Sequence, residues 1–166
     1  MEKTNLEYEE IEGNLITLAN KGVFDVIVHG VNCFCRQKSG LAPQMVEAFK
    51  TDTFPLEFAY RSGDINKLGQ IDFKYVREGL AVVNAYTQYK IKKFNDEDYH
   101  YTTTENPFDY EALTLCLRKM NDIFKGNHIG LPQIGSHLAG GDWNLIKSII
   151  QKELKDCRVT VVIYKS

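Results

Sequence analysis

Phe24-Asp25-Val26-Ile27-Val28-His29-Gly30-Val31-Asn32 decides the fold. Its β-branched residues fall on both alternating faces and Asn20-Lys21-Gly22 punctuates its start, so it reads as a strand covered on both sides. Such a strand lies in the centre of a sheet flanked by helices. Working outward, Tyr8 to Glu12 is a weaker strand, after which Gly13-Asn14-Leu15-Ile16 turns the chain. Phe34 to Gly40 is a loop, and Pro43 suits the first turn of a helix running to about Lys50. Thr51 to Ser62 suggests a second short helix, and Gly63 to Gly69 a turn. Strands follow at about Gln70 to Val76 and Leu80 to Tyr86, around the hairpin-like Arg77-Glu78-Gly79.

Tyr89 to Asn106 is the most polar stretch and reads as a long surface loop. Asn106 as N-cap and Pro107 at the first helical position then lead into a helix over Phe108 to Lys125, whose Leu113, Leu117, Met120 and Phe124 form its buried stripe. Asn127 to Ile134 is a strand, Trp143 to Lys155 a helix, and Cys157 to Tyr164 a closing apolar strand. Alternating strands and helices with doubly buried strands imply an α/β fold in three layers, with a central mixed, mostly parallel sheet.

The chain has 166 residues, 43% apolar and 25% charged, which suits one soluble domain spanning 1–166. Its start lacks the apolar core of a signal peptide and no run is long enough to cross a membrane, so a cytoplasmic protein is expected, in host cytoplasm if viral. Cys33, Cys35, Cys116 and Cys157 make neither a disulfide framework nor a zinc pattern, and no metal or other cofactor is expected. A formal charge of −2 argues against an extended nucleic-acid surface. Any phosphate must be held largely by backbone dipoles.

Two strand-to-helix crossings carry loops of small residues, Lys38-Ser39-Gly40-Leu41-Ala42 and Gly135-Ser136-His137-Leu138-Ala139-Gly140-Gly141. Ligands of open α/β sheets collect at the strand carboxyl ends, so the two loops could grip one phosphorylated molecule; the bland alternative is a pair of tight turns. Neither loop matches the Walker or dinucleotide-binding glycine pattern. His29 is a catalytic candidate by its place near a strand end, against a core histidine holding backbone. Asn32 could bond a sugar hydroxyl or fix its own turn. Asp142 has a sufficient structural role as cap of the helix from Trp143, and a helix N-terminus favours an ionised carboxylate available as a weak base.

Gly13-Asn14-Leu15-Ile16, Val28-His29-Gly30-Val31-Asn32-Cys33, Ser39-Gly40-Leu41-Ala42, and Leu131-Pro132-Gln133-Ile134-Gly135 through Asp142-Trp143 resemble, in this order, the motifs of macro domains, modules that bind ADP-ribose. The likeness is greatest to a bacterial and bacteriophage branch related to yeast-type ADP-ribose 1''-phosphate phosphatases. It implies a three-layer fold with ADP-ribose in a cleft across the strand ends. Asn14 would then face adenine and Asn32 hold the distal ribose, with Leu15 also among the ligand-binding residues. Lys38, Ser39, Gly40, Leu41 and Ala42 would flank the diphosphate and that ribose. So would Gly135, Ser136, His137, Leu138, Ala139, Gly140 and Gly141, with Gln133 and Ile134 before them also ligand-binding.

His29 and Asp142 occupy the positions implicated in catalysis in that branch, Asp142 orienting or deprotonating water and His29 assisting the phosphate. The expected function is therefore ADP-ribose binding with hydrolysis of ADP-ribose 1''-phosphate, in chelator as well as without it. The alternatives are a non-catalytic ADP-ribose reader and a hydrolase that removes ADP-ribose from protein or nucleic acid. The sequence departs from the family pattern at Asn14, where many members have aspartate, and at Lys38, Ser39 and His137, where glycine is common. Around Gln88 to Lys90 it offers no equivalent of the lysine nucleophile of a sister branch.

Overall fold

The computed structural model describes residues 7–33, 40–54, 65–89, 108–136 and 140–165. Its strands are β1 Tyr8–Gly13, β2 Val26–Asn32, β3 Ile71–Arg77, β4 Leu80–Gln88, β5 His128–Leu131 and β6 Arg158–Tyr164. They form one sheet in the order β1-β6-β5-β2-β4-β3. Every adjacent pair is parallel except β3 with β4, which the tight turn at Glu78 and Gly79 makes antiparallel. The sheet is thus mixed and mostly parallel, with β2 inside it.

Helices α1 Leu15–Asn20 and α2 Ala42–Phe49 cover one face of the sheet, and α3 Tyr110–Ile123 and α4 Trp143–Glu153 the other. The two-residue period of the strands divides the core accordingly. Val26, Val28, Ala81, Val83 and Ala85 pack with Leu113, Leu117 and Met120 of α3 and Ile146 and Ile150 of α4. Ile27 and Val82 pack with Leu15, Met45 and Phe49 on the opposite side. Each fully buried aliphatic side chain contributes about 1.5–3 kcal/mol relative to exposure, so both layers are firmly held.

The structure departs from the sequence expectations at several places. Gly13–Ile16 does not merely turn the chain, because Asn14 caps α1 with its Oδ1 accepting the Thr17 N–H at 3.0 Å. The helix expected from Phe108 starts at Tyr110, capped by Asp109, whose carboxylate accepts the Ala112 N–H at 2.9 Å. Phe108 instead bridges to Gln88 and buries its ring, and the expected cap residues Asn106 and Pro107 lie outside the described residues. The strand expected to reach Ile134 ends at Leu131, where Pro132 has no N–H for the ladder. Of the helix suggested over 51–62, Thr51–Thr53 forms a 3-10 turn and residues 55–64 lie outside the described set, as does most of the loop expected over 89–106.

Candidate functional site

The parallel strands β1, β6, β5 and β2 all end at the same edge of the sheet, and α1 and α2 begin there. Between them runs a groove of about 320 Å³ lined by Asn14, Leu15, Gly40, Leu41, Gln44, Pro132, Gln133, Val162 and Tyr164. A second, shallower hollow of about 340 Å³ continues past Asn14 and Gln44 between α1 and α2, along Ile16, Thr17, Glu47 and Ala48. Asn14, Leu15, Gly40, Leu41 and Gln133, which the sequence singles out from separate motifs, therefore share one groove. Gln44, Val162 and Tyr164 also line it and were not anticipated. The signal for Tyr164 was its place as the last residue of the closing strand, in register with Gly13.

The mouth of α2 differs from the other helix starts. Asn14, Asp109 and Asp142 each cap a helix with a side-chain oxygen, whereas Leu41 offers none to α2. Gly40 precedes it at φ +65°, a left-handed conformation that glycine adopts without strain. Gly40, which has no side chain, and Leu41, which gives α2 no side-chain cap, thus both line the groove.

The second loop is shaped from beneath by Phe108. Gly135 stands at φ +74°, and a Cβ added there would run into the Phe108 ring. A Cβ on Gly141 would lie 2.7 Å from the Gly135 carbonyl oxygen and 3.1 Å from the same ring. The Gly141 N–H donates to the Gly135 C=O at 2.7 Å, pinning the two ends of the loop together. Ser136 donates its hydroxyl to the Gln133 C=O at 2.8 Å, closing its own turn. Gly140 is also left-handed, at φ +77°. His137, Leu138 and Ala139, like Lys38 and Ser39 of the first loop, lie outside the described residues.

Asp142 is exposed at the start of α4, its Oδ1 accepting the Asn144 N–H at 2.9 Å and its own N–H donating to the Tyr110 hydroxyl at 2.9 Å. His29 is placed otherwise than expected. It is 2% exposed and points to the α1 and α2 side of the sheet, whereas Asp142 caps a helix on the opposite side. Its Nε2 lies 2.6 Å from Asn84 Oδ1. The Asn84 amide nitrogen donates to the Thr51 C=O at 2.9 Å and to Asp72 Oδ1 at 2.8 Å, and the Tyr86 hydroxyl donates to Asp72 Oδ2 at 2.6 Å.

Because both Asn84 N–H groups are spent, its oxygen must accept, which makes His29 Nε2 the donor. Among the described residues, Nδ1 then has no hydrogen-bond partner. Burial pushes the His29 pKa down to about 4 against the opposing bond to Asn84, so the ring is neutral at physiological pH. Burial likewise raises the Asp72 carboxyl, with Tyr86 and Asn84 pulling the other way. His29 is thus a core histidine in a polar network, not a groove residue. The Ile134 side chain belongs to the core beside Phe108. Asn32 and Ala42 are buried and are not among the residues that line the groove.

No family model matches the sequence. An uncharacterised 17.5 kDa protein of Enterobacteria phage T4, from the tk–vs intergenic region, is 28% identical over 160 residues, covering 92% of this chain and 93% of its own. A protein of unknown function from Bacteroides thetaiotaomicron superposes with a TM-score of 0.72 at 28% identity, over 95% of this chain and 98% of that one. The macrodomain of Mycobacterium tuberculosis DarG gives 0.66 at 18% identity, over 96% and 97%. A Trypanosoma brucei macrodomain solved in complex with ADP-ribose gives 0.62 at 13% identity, over 95% of this chain and 63% of that one. The chain has the macrodomain fold.

Proposed function

We propose that the groove binds ADP-ribose, and that the protein hydrolyses ADP-ribose 1''-phosphate to ADP-ribose and phosphate. The observation that carries the binding proposal is the convergence of Asn14, Leu15, Gly40, Leu41 and Gln133 on one groove at the strand carboxyl ends. Pro43 has no N–H and that of Gln44 is bonded to the Leu41 C=O at 3.0 Å, so the Leu41 and Ala42 N–H groups at the start of α2 are the backbone donors offered to the diphosphate. The ADP-ribose complex of a macrodomain sharing this fold supports the choice of ligand.

Hydrolysis rests on Asp142. Its carboxylate is exposed beside the pinned loop, and the oxygen not used for capping is the natural base for water. The burial of His29 removes the second expected catalytic group and favours the rival function, a reader that binds without turnover. Calorimetric titration of ADP-ribose and phosphate release from ADP-ribose 1''-phosphate, run on the wild type, Asp142→Ala and His29→Gln, distinguish the two. Turnover at least tenfold slower in Asp142→Ala with affinity retained supports the hydrolase. Binding without turnover in the wild type leaves the reader, or a hydrolase of ADP-ribosylated macromolecules, and no binding overturns the whole proposal.

Asn14 provides a second test. Aspartate caps a helix as well as asparagine does, so Asn14→Asp keeps α1 intact while offering the adenine amino group a charged acceptor. ADP-ribose affinity should rise by about 1 kcal/mol, roughly fivefold. Unchanged or weaker binding in the same titration would place adenine elsewhere.

A further inference from the structure

The geometry points to β3 as a self-association edge, where two copies of the chain pair antiparallel through Ile71, Phe73 and Tyr75 and continue the sheet across a homodimer. Among the described residues β3 is the last strand on its side of the sheet. The direction of its free backbone groups follows from two hydrogen bonds. Ala81 donates to the Asp25 C=O at 2.9 Å, towards β2, while Tyr86 donates to the Gln70 C=O at 3.0 Å, towards β3. In an antiparallel pair the N–H and C=O of one residue point the same way and alternate along the strand. Asp72 and Lys74 therefore bond to β4, and Ile71, Phe73 and Tyr75 turn their N–H and C=O outward.

The same three residues carry apolar side chains on the α3 face. Phe73 is 37% exposed and Tyr75 59%, and Phe73 is anchored edge-on to Phe124 at 5.2 Å. Long edge strands with exposed aromatics template pairing unless charge, proline or a bulge blocks them. The opposite edge carries charge of one sign, Glu9, Glu10 and Glu12 of β1, which a second copy would repel, whereas β3 carries both signs in Asp72 and Lys74. On β3 the only register irregularity falls between Tyr75 and Arg77, beyond the proposed contact.

Charge selects one register. With the two-fold axis at Phe73, Phe73 meets its copy and Ile71 meets Tyr75 of the second copy, each as a hydrogen-bonded pair of outward-facing residues. On the other face Asp72 then stands opposite Lys74 of the second copy, twice over. Centring the axis on Lys74 would oppose two lysines, which is unfavourable. The edge is therefore complementary to itself in only one of these two registers, and a second copy of the chain is the occupant that supplies both halves of the pattern. The groove lies at the strand ends over β1, β6 and β5, away from this edge, so dimerisation and ligand binding are separable.

Sedimentation equilibrium of the full chain tests the proposal. The wild type should pass from monomer to dimer as concentration rises, and added salt should weaken the dimer. Lys74→Glu alters an exposed side chain and sets two carboxylates opposite each other, so the dissociation constant should rise at least tenfold while ADP-ribose affinity, and the melting temperature at concentrations where both proteins are monomeric, stay unchanged. Phe73→Lys should leave monomer only. A wild type that is monomeric throughout, or a Lys74→Glu variant that dimerises as tightly as the wild type, overturns it.

Discussion

Gly135→Ala is expected to lower stability by about 3 kcal/mol. Holding a non-glycine residue in the left-handed conformation costs about 1 kcal/mol, and forcing a methyl group into a packed ring costs about 1–3 more. Phe108 cannot simply retreat, because its ring is 7% exposed and also faces Gly141. In a chain of this length the loss corresponds to a melting temperature lower by about 2–4 °C per kcal/mol, measurable by chemical or thermal denaturation. The cause can be isolated by a double-mutant cycle. In a Phe108→Ala background the overlap disappears, so Gly135→Ala should then cost only its backbone strain. Additive losses would sink the account of Phe108 as the wedge under this loop.

The fold is also expected to weaken by about 3 kcal/mol between pH 6.5 and pH 4 through His29 alone. Burial holds the folded pKa at about 4, below the ordinary 6.5. In that window the unfolded chain binds the proton and the folded chain does not, so stability falls with falling pH. The two and a half units separating the values set the magnitude, at about 1.4 kcal/mol per unit. Asp72 acts in the opposite sense, since its raised folded pKa takes up a proton more readily than the unfolded chain. Comparison with His29→Gln separates these contributions, because glutamine can still donate to Asn84 but does not titrate. The variant's stability should start lower at neutral pH and fall less steeply below pH 6.5. Parallel curves for the two proteins would show that His29 is not the titrating group.

Both effects arise where the sequence was only partly legible. The doubly apolar run at Phe24–Asn32 announced β2, and the sheet class followed from it. Asn14, Gly40 and Gln133 could be picked out because turns and caps have local chemistry. The side of the sheet on which His29 falls was a different matter. His29 and Asn84 become neighbours only when β2 and β4 align, and nothing near either residue in sequence specifies that register. Helix α1 escaped notice because six residues are too few to show a helical period. Phe108 reads as the start of a helix, since the groups that hold its ring, Gly135 and Gly141, lie far along the chain. Position near a strand end leads to the groove but does not tell which face of the sheet His29 takes, because side chains alternate along a strand.

The uncapped start of α2 has one more consequence. Asn14, Asp109 and Asp142 cap the other three helices with their own side chains, whereas Leu41 does not, so under the proposed function a bound diphosphate would add to the stability of α2. Folding and occupancy are then thermodynamically linked, and ligand at a hundred times its dissociation constant adds about 2.7 kcal/mol to the folded state. Resistance to heat or to proteolysis inside the cell would rise and fall with the supply of the molecule in the groove, making the protein's own lifetime a gauge of its ligand.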